Sequence, residues 1–91
     1  MYSEEILEKV KEYAGYLLLP DQIAQLLELD KQEFKDHLRK KRHPLSKAYE
    51  NGKLETILEL RKQEIQLAKL GSPMAVEMVS KFIIEQKQGE R

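Results

Sequence analysis

The amino-acid sequence predicts an all-α fold. Charged residues make up 35% of the 91 residues and hydrophobic ones 41%, and the chain has only three prolines. This balance, with few β-branched residues, favours helices over strands. Apolar residues also recur at helical spacing along most of the chain. A chain of this length supports one core, because it buries only roughly 60 to 65% of its unfolded surface.

The first helix is predicted from about residue 3 to residue 18. Ser3 followed by Glu4 and Glu5 is typical of a helix start, since carboxylates complement the positive end of the helix dipole. The apolar stripe consists of Ile6, Val10, Tyr13, Ala14 and Leu17. Gly15 inside this helix indicates a close crossing by another helix, because glycine there costs about 1 kcal/mol relative to alanine.

Residues 20–42 predict two short helices joined by a turn, at about 20–28 and 31–41. Pro20 suits the first helical position, where its missing amide hydrogen would be unpaired anyway. The apolar and small residues lie where a helix-turn-helix buries them, at Ile23, Ala24, Leu27 and the turn residue Leu29. The turn position that is often glycine is Glu28, which predicts a longer or more open turn.

The start of the second of these helices carries a capping signal. The carboxylate of Asp30 can accept from the backbone, while Glu33 reaches back to the amide of the cap, as in a capping box. Phe34 and Leu38 then face the core. His43 precedes Pro44 and is therefore expected in a connection outside the helix.

This helix turns a polar face away from the core. In a recognition helix such a face meets base edges and phosphates. Residues 31–42 carry six Lys or Arg against two acidic residues, net +4, whereas residues 1–30 are net −5. We therefore predict that DNA is contacted by Lys31, Gln32, Lys35, Arg39, Lys40, Lys41 and Arg42. The alternative for the basic run is a solvated helix end that complements the helix dipole.

Residues 44–91 predict a helical hairpin. A long helix follows Pro44, with Asn51 and Gly52 marking a point where it could break. Gly71 suits the residue after a helix end, and Ser72 with Pro73 suits the start of the next helix, which should reach about Gln88.

The hairpin has apolar residues on a second side. Leu60, Leu67, Leu70 and Ile84 lie well away from the main apolar stripes at 100° per residue. We expect them to form a homo-oligomer interface. The alternative is a compact five-helix domain that covers both sides.

The sequence predicts no enzyme, metal site or cofactor. There is no cysteine, no phosphate-binding glycine loop and no serine in a nucleophile turn. His37 and His43 lack carboxylates at metal-ligand spacing, so a phosphate contact or a surface role is expected for them. Without a signal peptide or a stretch of roughly 18 to 20 apolar residues, the chain is expected to be soluble and cytoplasmic.

The order of these elements resembles a known family. PDQIAQLLELDKQEFKDHL, followed by AYENGKLETILELRKQEIQLAKLGSPMAVEMVSKFIIEQ, is similar to phage terminase small subunits and related prophage helix-turn-helix proteins. The pattern consists of Ala48, Tyr49, Gly52, Arg61, Ala68, Gly71, Ser72 and Ala75. The resemblance implies recognition of viral DNA by an oligomer that passes it to a packaging motor, with a terminase large subunit as a further partner. It also implies a bacterial or phage-infected host cell.

The sequence thus predicts a helix-turn-helix unit at residues 1–43 and a hairpin at 44–91, packed as one compact domain. The expected function is non-enzymatic binding of double-stranded DNA. A protein-interaction or assembly module without DNA binding, or a small transcriptional regulator, remains open.

Overall fold

A computed structural model of the chain describes residues 2–90 and confirms the all-α prediction. Five helices make up the fold: α1 (Glu4–Gly15), α2 (Pro20–Leu26), α3 (Lys31–Leu38), α4 (Pro44–Lys69) and α5 (Pro73–Gly89). No strand is present between residues 2 and 90. The chain divides into two compact units, Met1–Thr56 and Ile57–Arg91.

The predicted helix starts are confirmed by their hydrogen bonds. The hydroxyl of Ser3 accepts from the Ile6 amide at 3.2 Å, and that of Ser72 accepts from the Ala75 amide at 3.4 Å. In α3 the Asp30 carboxylate accepts from the Glu33 amide at 2.8 Å, which is the first half of the predicted capping box. These bonds satisfy amides that lack partners within the helices, so each start is fixed locally.

Helices α1, α2 and α4 end in the same way, with one residue in the left-handed region. These residues are Leu17, Glu28 and Gly71, with φ of 62°, 56° and 97°. In α2 the Glu28 amide donates to the Gln25 carbonyl at 3.2 Å and the Leu29 amide to the Ala24 carbonyl at 2.8 Å. This is the Schellman pattern. The turn after α2 is therefore tight although it lacks glycine, contrary to the predicted open turn.

The core of the first unit is formed by side chains of α1, α2, α3 and the beginning of α4. Its fully buried apolar residues are Val10, Ala14, Ile23, Ala24, Phe34 and Leu45. Leu45 lies in the first turn of α4, so the beginning of that helix belongs to this core. The division at Thr56 therefore differs from the predicted boundary between residues 43 and 44.

Within the first unit α1 and α4 cross closely, as the glycine in α1 predicted. Gly52 lies directly against the backbone carbonyl of Lys11, and a Cβ on Gly15 would lie 3.3 Å from the Thr56 hydroxyl oxygen. The Thr56 hydroxyl donates to the Gly15 carbonyl at 2.6 Å. The predicted break near Asn51 and Gly52 is wrong, because α4 continues through both residues. Packing against α1 outweighs the low helix propensity of glycine.

The second unit contains the end of α4 and α5. Gly71 and Ser72 connect them, as predicted. The Arg61 guanidinium pairs with Glu85 at 3.0 Å and lies 4.2 Å from the centre of the Phe82 ring. Ala75 is the only buried residue that the structure describes in α5. Among residues 2–90 no helix contains a stretch long and apolar enough to cross a membrane.

Candidate nucleic-acid interface

Helix α3 presents a polar face to solvent. The buried Ile23 and Ala24 of α2 and the buried Phe34 of α3 share one core, and Leu29 in the turn packs against it. The opposite side of α3 is exposed at Lys31 and Gln32. The apolar period of each short helix thus fixes which side chains reach solvent.

The basic run does not extend α3. Helix α3 ends at Leu38, Arg39 is its C-cap residue, and Lys40, Lys41 and Arg42 lie in the connection to α4. The prediction that the helix reaches residue 41 is therefore wrong. The Lys40 amide donates to the His37 carbonyl at 3.1 Å and the His43 amide to the Lys40 carbonyl at 2.9 Å, which makes this connection a succession of turns. We call residues 39–42 the basic segment.

Two carboxylates partly neutralise the predicted DNA-binding residues. The Asp36 carboxylate accepts from the Gln32 amide group at 3.0 Å and pairs with Arg39 at 3.4 Å. Asp21 of α2 pairs with Lys35 at 3.2 Å. Exposed ion pairs contribute little to stability, but the two carboxylates place negative charge beside the predicted DNA-binding residues. The role of Asp21 depends on how α2 and α3 pack, so sequence reasoning did not find it.

The other predicted DNA-binding cations are exposed to solvent. Within residues 2–90, Lys31, Lys40, Lys41 and Arg42 have no carboxylate partner, and all four are exposed. Lys47, which the sequence analysis omitted, is exposed in the first turn of α4. Its positive charge and its position just after the basic segment could have indicated it from the sequence. The amino end of α4 adds a partial positive charge close to this segment.

An aromatic cluster lies beneath the basic segment. The rings of His37 and His43 are stacked, 4.7 Å apart and inclined by 14°, and the Tyr2 hydroxyl lies 2.6 Å from His37 Nδ1. The Leu45 amide donates to His43 Nδ1 at 3.0 Å. The sequence predicted a surface or phosphate-contact role and did not anticipate these contacts, which join Tyr2 to the two histidines.

The surroundings of the His43 ring lower its pKa. Partial burial of its ring is the largest cause, and the neighbouring His37 and Lys40 add to it. Burial and the nearby carboxylates of Glu33 and Asp30 raise the pKa of Tyr2. Both shifts favour the neutral side chains.

The predicted oligomer-interface residues lie in the second unit and are exposed. Leu60 is 49% exposed, Leu67 47%, Ile84 56% and Leu70 80%. Met74 and Val76 of α5 are exposed as well. This unit therefore exposes several apolar side chains, although Leu60, Leu67 and Ile84 keep about half of their surface covered.

The described residues give no sign of a metal centre. Between Tyr2 and Glu90 there is no group of three or more His, Asp or Glu side chains placed to hold a metal ion. Comparison with known protein families, with characterised proteins and with solved structures gives no significant match to this chain.

Proposed function

We propose that the first unit binds double-stranded DNA without catalysing a reaction. In this proposal α2 and α3 act as a helix-turn-helix, α3 enters the major groove, and the basic segment contacts phosphates. The observation that carries the proposal is a group of exposed cations beside the exposed face of α3 that have no carboxylate partner among residues 2–90, namely Lys31, Lys40, Lys41 and Arg42. An exposed polar helix face next to a basic run is what duplex recognition requires.

Phosphate contacts would supply most of the affinity. Each phosphate that a Lys or Arg neutralises releases counterions from the DNA, and this gain is independent of sequence. Four contacts give a slope of log affinity against log salt of about −3.6. The basic segment is separate from α3, so it can follow the DNA backbone while α3 lies in the groove.

Sequence discrimination would come from the amino-terminal half of α3. Lys31 and Gln32 lie in its first turn, which is the part of a recognition helix that reaches base edges. Glutamine pairs well with adenine through two hydrogen bonds. Gln32 must first leave Asp36, to which its amide group donates. The cost of this exchange is small because both groups are exposed.

The direct test is binding of a labelled duplex by fluorescence anisotropy, with a single strand of the same length as a comparison. We expect clear binding at about 50 mM salt, tighter for the duplex than for the single strand, because the groove and both backbones contribute. No binding to the duplex under these conditions would contradict the proposal.

The resemblance to phage terminase small subunits extends the proposal to viral DNA. In that case copies of the chain would assemble through the second unit and pass DNA to a large subunit. The exposed apolar residues Leu60, Leu67, Leu70 and Ile84 support assembly. Linked copies also bind DNA more tightly than one short recognition helix does. A role as a small transcriptional regulator would use the same DNA-binding face.

A second candidate function is protein assembly without DNA binding. The exposed apolar residues of the second unit favour it, because Met74 is 83% exposed and Leu70 80%. Light scattering tests the assembly common to both candidates. The mass should lie well above 10.7 kDa, and Leu60→Glu with Leu67→Glu should lower it while helical content is retained. A monomer at high micromolar concentration would contradict assembly.

A further inference from the structure

We propose that Tyr2, His37 and His43 form a pH-sensitive clasp, which fixes the conformation of the basic segment only while His43 is neutral. The two histidines bracket the segment, and their rings stack at 4.7 Å. Tyr2 meets both rings edge-on, with centroids 5.4 Å from His37 and 5.8 Å from His43. The effect of the clasp on DNA binding rests on the proposed function, whereas the clasp itself does not.

His43 serves as the N-cap of α4. Its Nδ1 accepts the hydrogen bond from the Leu45 amide, so the proton of the neutral ring must lie on Nε2. A capping bond of this kind satisfies an amide that has no partner inside the helix. Pro44, which follows, has no amide hydrogen to satisfy. The His43 carbonyl accepts from the Lys47 amide at 3.2 Å in either protonation state, whereas the side-chain cap of α4 depends on one lone pair of the His43 ring.

Protonation of His43 removes that lone pair. The second proton can add only to Nδ1, because Nε2 already carries one. The Nδ1–H of the ring and the Leu45 amide are then both donors that point at each other, so the bond from Leu45 is lost. His37 differs, because its Nδ1 faces the Tyr2 hydroxyl. This group can donate through its O–H or accept through its oxygen. The contact between His37 and Tyr2 therefore does not depend on a single lone pair, unlike the bond from Leu45 to His43. The neighbouring His37 also disfavours a positive charge on His43 and so lowers the pKa of that ring.

The charged groups around the cluster come from several elements. Burial is the largest cause of the lowered pKa of His43. The neighbouring His37 and Lys40 of the basic segment lower this pKa further. Asp30 before α3 and Glu33 in α3 lie towards Tyr2 and raise its pKa. Tyr2 therefore remains a neutral hydroxyl at the pH values concerned.

These surroundings define the direction of the pH effect. In the unfolded chain His43 takes up a proton near pH 6.5, whereas in the folded chain its ring stays neutral down to a lower pH. The clasp's stabilisation is therefore complete above about pH 6.5 and is lost as pH falls through the lowered pKa of the folded state. Ordinary carboxylates protonate mainly below about pH 5, so their effect falls in a lower range.

Opening the clasp would release the basic segment. Two backbone bonds, from the Lys40 amide to the His37 carbonyl and from the His43 amide to the Lys40 carbonyl, shape the segment that connects the two stacked histidines. Without the stacked rings and the capping bond, nothing else in the clasp holds these turns in one conformation. A mobile segment must be ordered again when it binds phosphates, which weakens DNA binding.

The clasp can be tested without DNA by comparing the wild type with His43→Asn. Asparagine is a good N-cap that does not titrate, so this variant should fold. At pH 5.5 the wild-type folding equilibrium constant should fall by up to about tenfold from its value at pH 7.5, while the variant should change much less. The hydrogen-exchange protection factor of the Leu45 amide should fall with it. The same pH dependence in both proteins would overturn the clasp.

The effect on DNA is tested with the same two proteins and a labelled duplex. From pH 7.5 to 5.5 the affinity of the wild type should fall several-fold relative to that of His43→Asn. A relative gain by the wild type would overturn the regulatory role, because added positive charge alone would produce it. If neither protein binds DNA at either pH, the proposed function fails, and the Leu45 measurement still decides the clasp.

Discussion

Gly52 of α4 lies against the backbone carbonyl of Lys11 in α1, with no room for a side chain between them. Gly52→Ala would place a methyl group on that oxygen and on the Ala14 side chain, so α1 and α4 would have to separate. Overpacking of this kind costs about 1 to 3 kcal/mol, which exceeds the gain of up to about 1 kcal/mol in helix propensity. Chemical denaturation should therefore show a net loss of stability.

Gly89→Ala is the matched control for this prediction. Gly89 is also helical, but a Cβ there meets no atom within 4 Å. Its stability should be unchanged or slightly raised, because alanine favours helices. Equal effects of the two substitutions would mean that α1 and α4 do not cross closely at Gly52.

Glu28 occupies the left-handed region with φ of 56° in the turn between α2 and α3. A residue with a Cβ is strained there by roughly 1 to 2 kcal/mol, and glycine avoids this strain at the cost of more entropy in the unfolded chain. Glu28→Gly should therefore raise the free energy of unfolding, by up to about 1 kcal/mol. The exposed helical position Gln25 provides the contrast, since Gln25→Gly should lower stability by about 0.5 to 1 kcal/mol. Destabilisation by Glu28→Gly would contradict the turn geometry.

Asp36 places a negative charge on the exposed face of α3 and engages both Gln32 and Arg39. Asp36→Asn removes that charge and releases Arg39 for a phosphate, so DNA should bind several-fold more tightly at low salt. Glu12→Gln is the matched control, because Glu12 forms a similar exposed ion pair with Lys9 at 3.2 Å on α1. Anisotropy titrations compare the two. A similar gain from both would indicate an effect of net charge rather than of the α3 face.

Local sequence signals were sufficient for the helix starts and for the close crossing. Ser3, Asp30 and Ser72 are capping residues whose bonds join groups three positions apart, so the sequence contains both partners. Gly15 is costly inside a helix, which indicated a close crossing, and a Cβ there would indeed lie 3.3 Å from the Thr56 hydroxyl oxygen and 3.5 Å from the Gly52 carbonyl oxygen. Periodicity likewise predicted the buried side of α3.

Features that depend on tertiary contacts were not predictable in the same way. Gly52 and Asn51 have low helix propensity, and only packing against α1 explains why α4 continues through them. Helix α3 ends before the basic segment because the following turns lead to the cap at His43. Histidine is not among the usual capping residues, so its sequence position gave no signal.

The salt dependence of duplex binding by matched lysine variants tests the central claim most directly. Lys41 lies in the basic segment without a carboxylate partner within residues 2–90, whereas Lys9 lies on α1 and pairs with Glu12. If Lys41 neutralises a phosphate, Lys41→Ala should reduce the magnitude of the slope of log affinity against log salt by about 0.9. Lys9→Ala should leave the slope at the wild-type value. Equal slopes for wild type and both variants would contradict phosphate binding by the basic segment.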